Sequence, residues 1–358
     1  MVKKIGIVHD PIYIEHMPGT WHPESPQRLA SIYEMLKNEG VQELYESIQP
    51  RKATREEIQL IHSSRHFDRI AATEGKAATF LDPDTITSER SFEAALYAVG
   101  GVLSGIDRIM EEKIEAPEGY PGEVFALIRP PGHHAEADWA KGFCLFNNIA
   151  VGTQYAIEHY GIERVLIADW DLHHGNGTQH AFEQDSRVLY FSTHQYPYYP
   201  GTGSMNEVGI GEGSGYTINV PLFPGHGDEE YYRIFKSILV PVAELFKPQL
   251  VMVSAGFDTY FGDPLGGMQL SPTGFSALAR LLQTIARKHA GSRMLLTLEG
   301  GYHIKGQTQS IEAIIRTFAG VAPVDNGFAE RELQSIGKMA ERTIESVMAI
   351  QREYWSCF

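Results

Sequence analysis

Two cysteines, Cys144 and Cys357, are all that the 358 residues carry, and their spacing supports neither a disulfide framework nor a thiolate metal site. A reducing, cytoplasmic setting is expected. Basic charge is scarce too: 30 Lys and Arg stand against 45 Asp and Glu, a formal charge of −15. Phosphate neutralisation needs the opposite excess, which argues against a nucleic-acid partner. A cationic substrate, such as a lysine-bearing tail or a polyamine, is compatible with that charge, as is simple solubility. No apolar run approaches the roughly 18 to 20 residues that span a bilayer, so no membrane association is expected. Met1 to Val8 has two lysines and then too short an apolar run for a signal peptide, and reads as a first strand. Internal repeats, low-complexity tracts and Pro/Gly/Ser linkers are missing as well. The expectation is a single domain over 1–358 with a helical extension at about 330–358. Its aromatic end, Tyr354-Trp355-Ser356-Cys357-Phe358, either packs back on the body or meets another copy in a homo-oligomer.

What is present is a series of short, β-rich apolar runs: Ile5 to Val8, Val124 to Ile128, Val165 to Ala168, Val188 to Phe191, Leu250 to Val253 and Met294 to Leu298. None alternates, as expected of strands covered on both faces in a parallel sheet. Helical patterns lie between several of them, over Ser91 to Glu112, Ile149 to His159 and Asp228 to Phe246, where Pro241 predicts a kink or break. Ser271 as N-cap with Pro272 at the first helical position predicts another helix to about His289. Strands and helices of this length in alternation predict a doubly wound α/β fold, a central, mostly parallel β-sheet with helices on both faces.

In such a sheet the ligand crevice lies beyond the carboxyl ends of the strands. The opening sequence there is Asp169-Trp170-Asp171-Leu172-His173-His174-Gly175-Asn176-Gly177, where a carboxylate and an imidazole two residues apart can share a divalent metal. The next strand ends deliver Arg129-Pro130-Pro131-Gly132-His133-His134, Ser254-Ala255-Gly256-Phe257-Asp258 and Glu299-Gly300-Gly301-Tyr302. Asp171, His173 and Asp258 then form a three-ligand site with positions left for water and substrate. Two anionic ligands nearly cancel the ion's charge, so a general base is needed. The tandem His133 and His134 supply it, with Asp169 and Asn176 as partners. An imidazole against a carboxylate stays protonated more readily than one against an amide, whose pKa stays near about 6.5. His134 with Asn176 is therefore the expected base, and His133 with Asp169 the orienting partner. Tyr302, on a Gly-Gly turn, can hydrogen-bond an oxyanion. Metal, base and phenol together predict amide hydrolysis through a tetrahedral intermediate. No Gly-x-Ser-x-Gly elbow or activated cysteine offers a covalent route.

These motifs, with His22-Pro23-Glu24-Ser25-Pro26-Gln27-Arg28, Gly142-Phe143-Cys144-Leu145-Phe146-Asn147-Asn148, Tyr199-Pro200-Gly201-Thr202-Gly203 and Asn219-Val220-Pro221-Leu222, resemble the histone deacetylase family on its arginase-like α/β fold. Asn176 and Gly262-Asp263-Pro264-Leu265-Gly266-Gly267 resemble its class II branch and bacterial relatives. The resemblance implies a zinc-dependent deacylase in which Asp171, His173 and Asp258 bind the metal and Tyr302 polarises the acyl carbonyl. It implies that Phe143, beside Gly142, and Tyr199 flank a tunnel for the lysine stem, and that Asp84 holds the substrate backbone at the rim. It further implies a potassium site at Asp169, Asp171, His173, Ser192 and Thr193, partly through backbone oxygens, and a second around Phe182, Asp185 and Val188. Arginases need a Ser-x-Asp-x-Asp pattern, and Gly256 replaces the first of those acids, which disfavours a two-metal ureohydrolase. Leu265 stands where polyamine-selective relatives carry a glutamate.

The leading expectation is a deacylase for acyl-lysine in a protein or peptide substrate. An acetylpolyamine amidohydrolase is the second, and a non-catalytic metal-binding reader of acyl-lysine the third. Ferrous iron is an alternative to zinc, because a carboxylate-rich site discriminates weakly between them.

Overall fold

In this computed structural model residues 3–19, 21–110, 122–321 and 337–358 are described. Eight strands form one sheet: β1 (Ile5–Val8), β2 (Tyr45–Ile48), β3 (Glu123–Ala126), β4 (Val165–Asp169), β5 (Val188–Gln195), β6 (Thr217–Leu222), β7 (Leu250–Ala255) and β8 (Met294–Leu298). Their order is β2-β1-β3-β8-β7-β4-β5-β6, and every neighbouring pair is parallel. The inner strands are buried along their whole length, which is why their sequences do not alternate.

The two strands without a clean apolar run, β2 and β6, are the sheet edges. Only Ile48 of β2 is buried, and β6 contains Pro221, which an edge position tolerates because one side of the strand makes no ladder bonds. The far side of β6 is not left bare. The helix Lys338–Gln351 packs against it, Gln351 Nε2 donates to Thr217 O at 3.3 Å, and Trp355 Nε1 donates to Gly215 O at 2.8 Å. The aromatic tail thus packs back on the body. Residues 330–336 of the expected extension, and the last two of the helix expected over Ser91 to Glu112, lie outside the described residues.

The helices form layers on both faces of the sheet. Ser91–Met110 and Asn148–Tyr160 pack together, as do Pro272–His289 and Ile304–Phe318. Ser271 caps as expected, its hydroxyl accepting from Gly274 N at 3.3 Å. The stretch expected to kink or break at Pro241 carries a π-helical turn over Phe235–Leu239 just before it. Val240 N–H reaches back five residues to Phe235 O, and Pro241 then opens the next α-helical segment, Val240–Phe246. A π-turn at that point absorbs the missing N–H without breaking the rod.

From β4 the chain moves outward through β5 to β6, whereas from β7 it moves the other way to β8. Since β4 and β7 are neighbours, their carboxyl ends open a crevice at a topological switch point.

Candidate metal centre and catalytic pocket

Asp171 and His173 leave the end of β4, and Asp258 leaves the end of β7. Their ligand atoms lie within 4.8 Å of one another. His173 Nδ1 is 3.2 Å from Asp171 Oδ1 and 3.1 Å from Asp258 Oδ2. Backbone amides hold the carboxylates from behind. Asp171 accepts from His173 N and Gly300 N, both at 2.9 Å, and Asp258 Oδ1 accepts from Leu172 N at 2.9 Å. Asp258 Oδ2 is fully buried and its approach to His173 lacks hydrogen-bond geometry, leaving it without a partner among the described residues. A buried carboxylate oxygen in that condition costs free energy unless a cation meets it. The donor set, two carboxylates and one imidazole nitrogen, therefore fits a divalent ion. Burial and Asp171 together push Asp258 up to about 7. Asp171 goes the other way, because the charges of His133 and His173 outweigh its burial. A Cβ at Gly256 would come within 2.0 Å of Asp171 Oδ2, so an acid at that position has no room while Asp171 keeps this conformation.

The tandem histidines lie beside this centre, their rings tilted at 43° with centroids 4.1 Å apart. His133 Nδ1 meets Asp169 Oδ2 at 3.1 Å, and its Nε2 is 3.7 Å from Asp171 Oδ1. Burial alone would lower the His133 pKa, but Asp171 and Asp169 override it and raise it to about 10. His134 Nδ1 meets Asn176 Oδ1 at 2.8 Å. The sequence predicts an ordinary pKa for His134, whereas burial and the neighbouring His133 and His173 push it well below 6.5. The amide partner is as expected; the desolvation is what residue pairing alone could not show.

A cavity of about 300 Å³ joins these groups to the surface. His133, His134, Asp171, His173 and Tyr302 line it, together with Gly142, Phe143, Tyr199, Leu265 and Asp84. Gly142 and Phe143 both have positive φ, +57° and +69°. A Cβ at Gly142 would come within 2.4 Å of the His134 ring, so glycine is required on both counts. Phe143 meets the Tyr302 ring edge-on at 6.0 Å, and Tyr199 meets His134 at 5.1 Å. Asp84 carries its carboxyl above the usual range through burial and Asp82.

Other expected residues are not in the cavity. Asp169 and Asn176 lie behind the histidines they bond. Ser192 pairs with Asp169 across β5 and β4, its hydroxyl 2.9 Å from His194 Nδ1, and the buried Thr193 hydroxyl lacks a partner among the described residues. Phe182, Asp185 and Val188 sit at the opposite, amino-terminal end of β5, where the Asp185 carboxylate pairs with Arg187 at 2.6 Å.

Several residues escaped the reading of the sequence. Tyr198, next to Tyr199, stacks on His173 at 5.6 Å and donates its hydroxyl to Leu265 O at 2.9 Å. Asp263 accepts from Tyr302 N at 2.7 Å and His303 N at 2.9 Å, tying the Leu265 loop to the Tyr302 turn. Arg28 donates to Gly301 O and Glu299 O, both at 2.6 Å, and its guanidinium carbon lies 5.1 Å from the centre of the Tyr302 ring. A signal for Arg28 existed: it sits on the buried stripe of its helix with Leu29, Ile32, Met35 and Leu36, where an unpaired charge is unaffordable. His303, unexplained by the sequence, caps the helix Ile304–Phe318 by accepting from Gly306 N at 3.0 Å.

Residues 22–318 match the model of the histone deacetylase domain. The chain belongs to the histone deacetylase family. A probable deacetylase of Archaeoglobus fulgidus is 37% identical over 99% of each chain. Histone deacetylase 15 of Arabidopsis thaliana is 37% identical over 98% of this chain and 61% of its own length, and human Histone deacetylase 7 is 34% identical over 98% and 40%. The chain thus spans the whole archaeal relative but only part of the plant and human ones. Among solved structures, the HDA15 HD domain superposes with a TM-score of 0.89 at 36% identity, covering 99% of this chain and 96% of that one. The eight-stranded parallel sheet is accordingly the sheet of a histone deacetylase fold, and the chain is a hydrolase of that family. No helix among the described residues is long and apolar enough to cross a membrane.

Proposed function

We propose that the protein is a metal-dependent deacylase that removes acetyl or other acyl groups from lysine side chains of proteins or peptides. The observation that carries this reading is the neutral imidazole of His134, bonded through Nδ1 to an amide, beside a carboxylate pair with an orphaned oxygen. Asp171, His173 and Asp258 would hold a divalent cation, zinc or else ferrous iron, which would supply Lewis acidity when bound. His134 Nε2 takes the proton from the attacking water and later delivers it to the departing lysine amine. His133, kept protonated by Asp169, orients the water and steadies negative charge. The Tyr302 hydroxyl donates to the carbonyl oxygen as it becomes an oxyanion, a task suited to a phenol that stays protonated because burial raises its pKa.

The lysine stem lies between Phe143 and Tyr199, Gly142 leaving it room, with Leu265 at the mouth and Asp84 accepting backbone N–H groups of the substrate. Asp169, Ser192, Thr193 and the backbone of Asp171 and His173 would hold a potassium ion, whose charge would offset the buried acid. A second, at Phe182, Asp185 and Val188, belongs to the far end of β5. The protein works as a single domain in the cytoplasm. Turnover of acetyl-lysine peptides by zinc-loaded protein, set against acetylputrescine and acetylspermidine, tests the reading. Peptide turnover that is lost in His134→Ala and Tyr302→Phe is expected. A strong polyamine preference, or full activity in either variant, would overturn it.

A further inference from the structure

The partner of His134 is itself held from outside the pocket. Asn176 Nδ2 donates to Glu136 Oε1 and, at 3.3 Å, to His134 O. Glu136 is fixed in turn. Its two carboxylate oxygens each lie 3.0 Å from Nδ1 of the partly exposed His180. Its backbone oxygen is 2.9 Å from His62 Nδ1, whose ring accepts from Asn147 N at Nε2 and so must carry its proton at Nδ1. Lys141 adds a second positive charge near the Glu136 carboxylate.

We propose that Glu136 is a positioning residue that sets the tautomer of His134 through Asn176. This rests on the deacylase reading, in which His134 is the base. The logic is one of donors and acceptors. An ionised carboxylate only accepts, so the amide must turn its NH2 toward Glu136 and its oxygen toward His134. That oxygen also only accepts, so the His134 proton must sit on Nδ1, which leaves the Nε2 lone pair facing the pocket. The backbone oxygen of His134 favours the same orientation, but at 3.3 Å it is a long and uncharged acceptor and holds the amide weakly beside the ionised Glu136. An amide that turned over would present NH2 to Nδ1, move the proton to Nε2 and remove the base. His133 needs no such device, because Asp169 is a carboxylate and accepts in either orientation.

Two measurements on the zinc-loaded full chain test this: ¹⁵N chemical shifts of the His134 ring, and kcat and KM for an acetyl-lysine peptide. Glu136→Gln keeps the shape but can either donate or accept. It should give a mixture of His134 tautomers and lower kcat by about ten- to hundredfold with KM nearly unchanged. Adding Asn176→Asp to Glu136→Gln restores an acceptor that needs no orientation. It should return the proton to Nδ1, with kcat recovering at the higher pH where a ring paired with a carboxylate is neutral. The proposal is overturned if Glu136→Gln keeps the pure Nδ1–H tautomer, whatever happens to kcat. It is also overturned if the double variant shows the pure Nδ1–H tautomer at a pH where the ring is neutral and kcat is still not recovered there. Should the parent protein fail to hydrolyse acyl-lysine peptides, the deacylase reading falls, while the ring shifts still decide what Glu136 does.

Discussion

Two clusters of buried charge lie near the carboxyl ends of the strands, and they are built on opposite terms. In the first, Glu24 is completely buried between two guanidiniums, which are buried with it. Arg129 donates to Glu24, to Tyr13 O at 2.9 Å and to His16 O at 3.0 Å. Arg28 donates to Glu24 at 3.1 Å and to the backbone oxygens of the Tyr302 turn. Burial opposes the ionised form of Glu24, yet Arg129 and His16 hold its pKa well below the usual carboxylate range. In the second cluster, one imidazole lies beside both Asp171 and Asp258, and Asp258 Oδ2, though 3.1 Å from it, accepts no hydrogen bond among the described residues. The first cluster thus completes its buried charge with its own donors, whereas the second leaves a carboxylate oxygen without one among the described residues, an arrangement that suits a cation. Tyr302 stands where the two meet, its ring against Arg28 and its face on the metal pocket.

The largest effect should come from breaking the incomplete cluster. Asp258→Asn is expected to lower peptide turnover by roughly 10⁴-fold, about 5 kcal/mol of transition-state stabilisation. The same substitution should leave the metal-free protein as stable as the parent or more so. A carboxyl raised toward 7 on folding opposes folding at neutral pH, and the amide removes that opposition. Calorimetry with and without zinc checks this: zinc should raise Tm in the parent and much less in the variant. A metal-free variant clearly less stable than the parent would mean that Asp258 belongs to the scaffold after all. Next in size, Tyr302→Phe should lower kcat by about 10²- to 10³-fold while the zinc-dependent rise in Tm survives, because in the proposed mechanism the phenol acts on substrate and not on the metal.

The contrast between the clusters also explains what could be read without coordinates. The inner strands were legible because covering on both faces makes their sequences uniformly apolar, and the acids and histidines stood out immediately after them. The edge strands β2 and β6 were not, since half-burial in one and a proline in the other leave no such run. Among functional residues, Asp171, His173, Asp258 and the tandem histidines could be grouped because each is unusual where it stands. Arg28, Asp263 and Glu136 act through backbone oxygens, backbone amides and a neighbouring amide. Their partners lie 273, 39 and 40 residues away along the chain, and nothing local marks the pairing. The depressed pKa of His134 was hidden for a related reason, since it comes from burial beneath Tyr199 and beside His133 rather than from its bonded partner.

Breaking the complete cluster should cost stability instead of chemistry. Glu24→Gln leaves two buried guanidiniums facing an uncharged amide, and about 3 kcal/mol of unfolding free energy should be lost, with or without zinc. The sign with pH follows from the direction of the shift. Glu24 is depressed on folding, so its contribution is complete above the unfolded carboxyl pKa of about 4.3 and disappears as pH falls through the lower folded value. Urea unfolding should therefore show the full gap between parent and variant at pH 7 and a narrowing gap below about pH 4. A gap that widens in acid would contradict the pairing with Arg129.

The smallest effect sharpens the boundary between the clusters. His303 follows Tyr302 directly, yet its ring faces away from the pocket to cap its helix and stack on Tyr260 at 5.1 Å. If position along the chain decided function, His303→Ala would damage turnover nearly as much as Tyr302→Phe. If hydrogen-bond partners decide it, the loss is that of a helix cap, about 1 kcal/mol of stability, with kcat within about twofold of the parent and the zinc-dependent rise in Tm unchanged. His303→Asn, which keeps an acceptor for Gly306 N, should recover most of that stability. A fall in kcat that the asparagine does not recover would place His303 with the catalytic groups and move the boundary one residue outward.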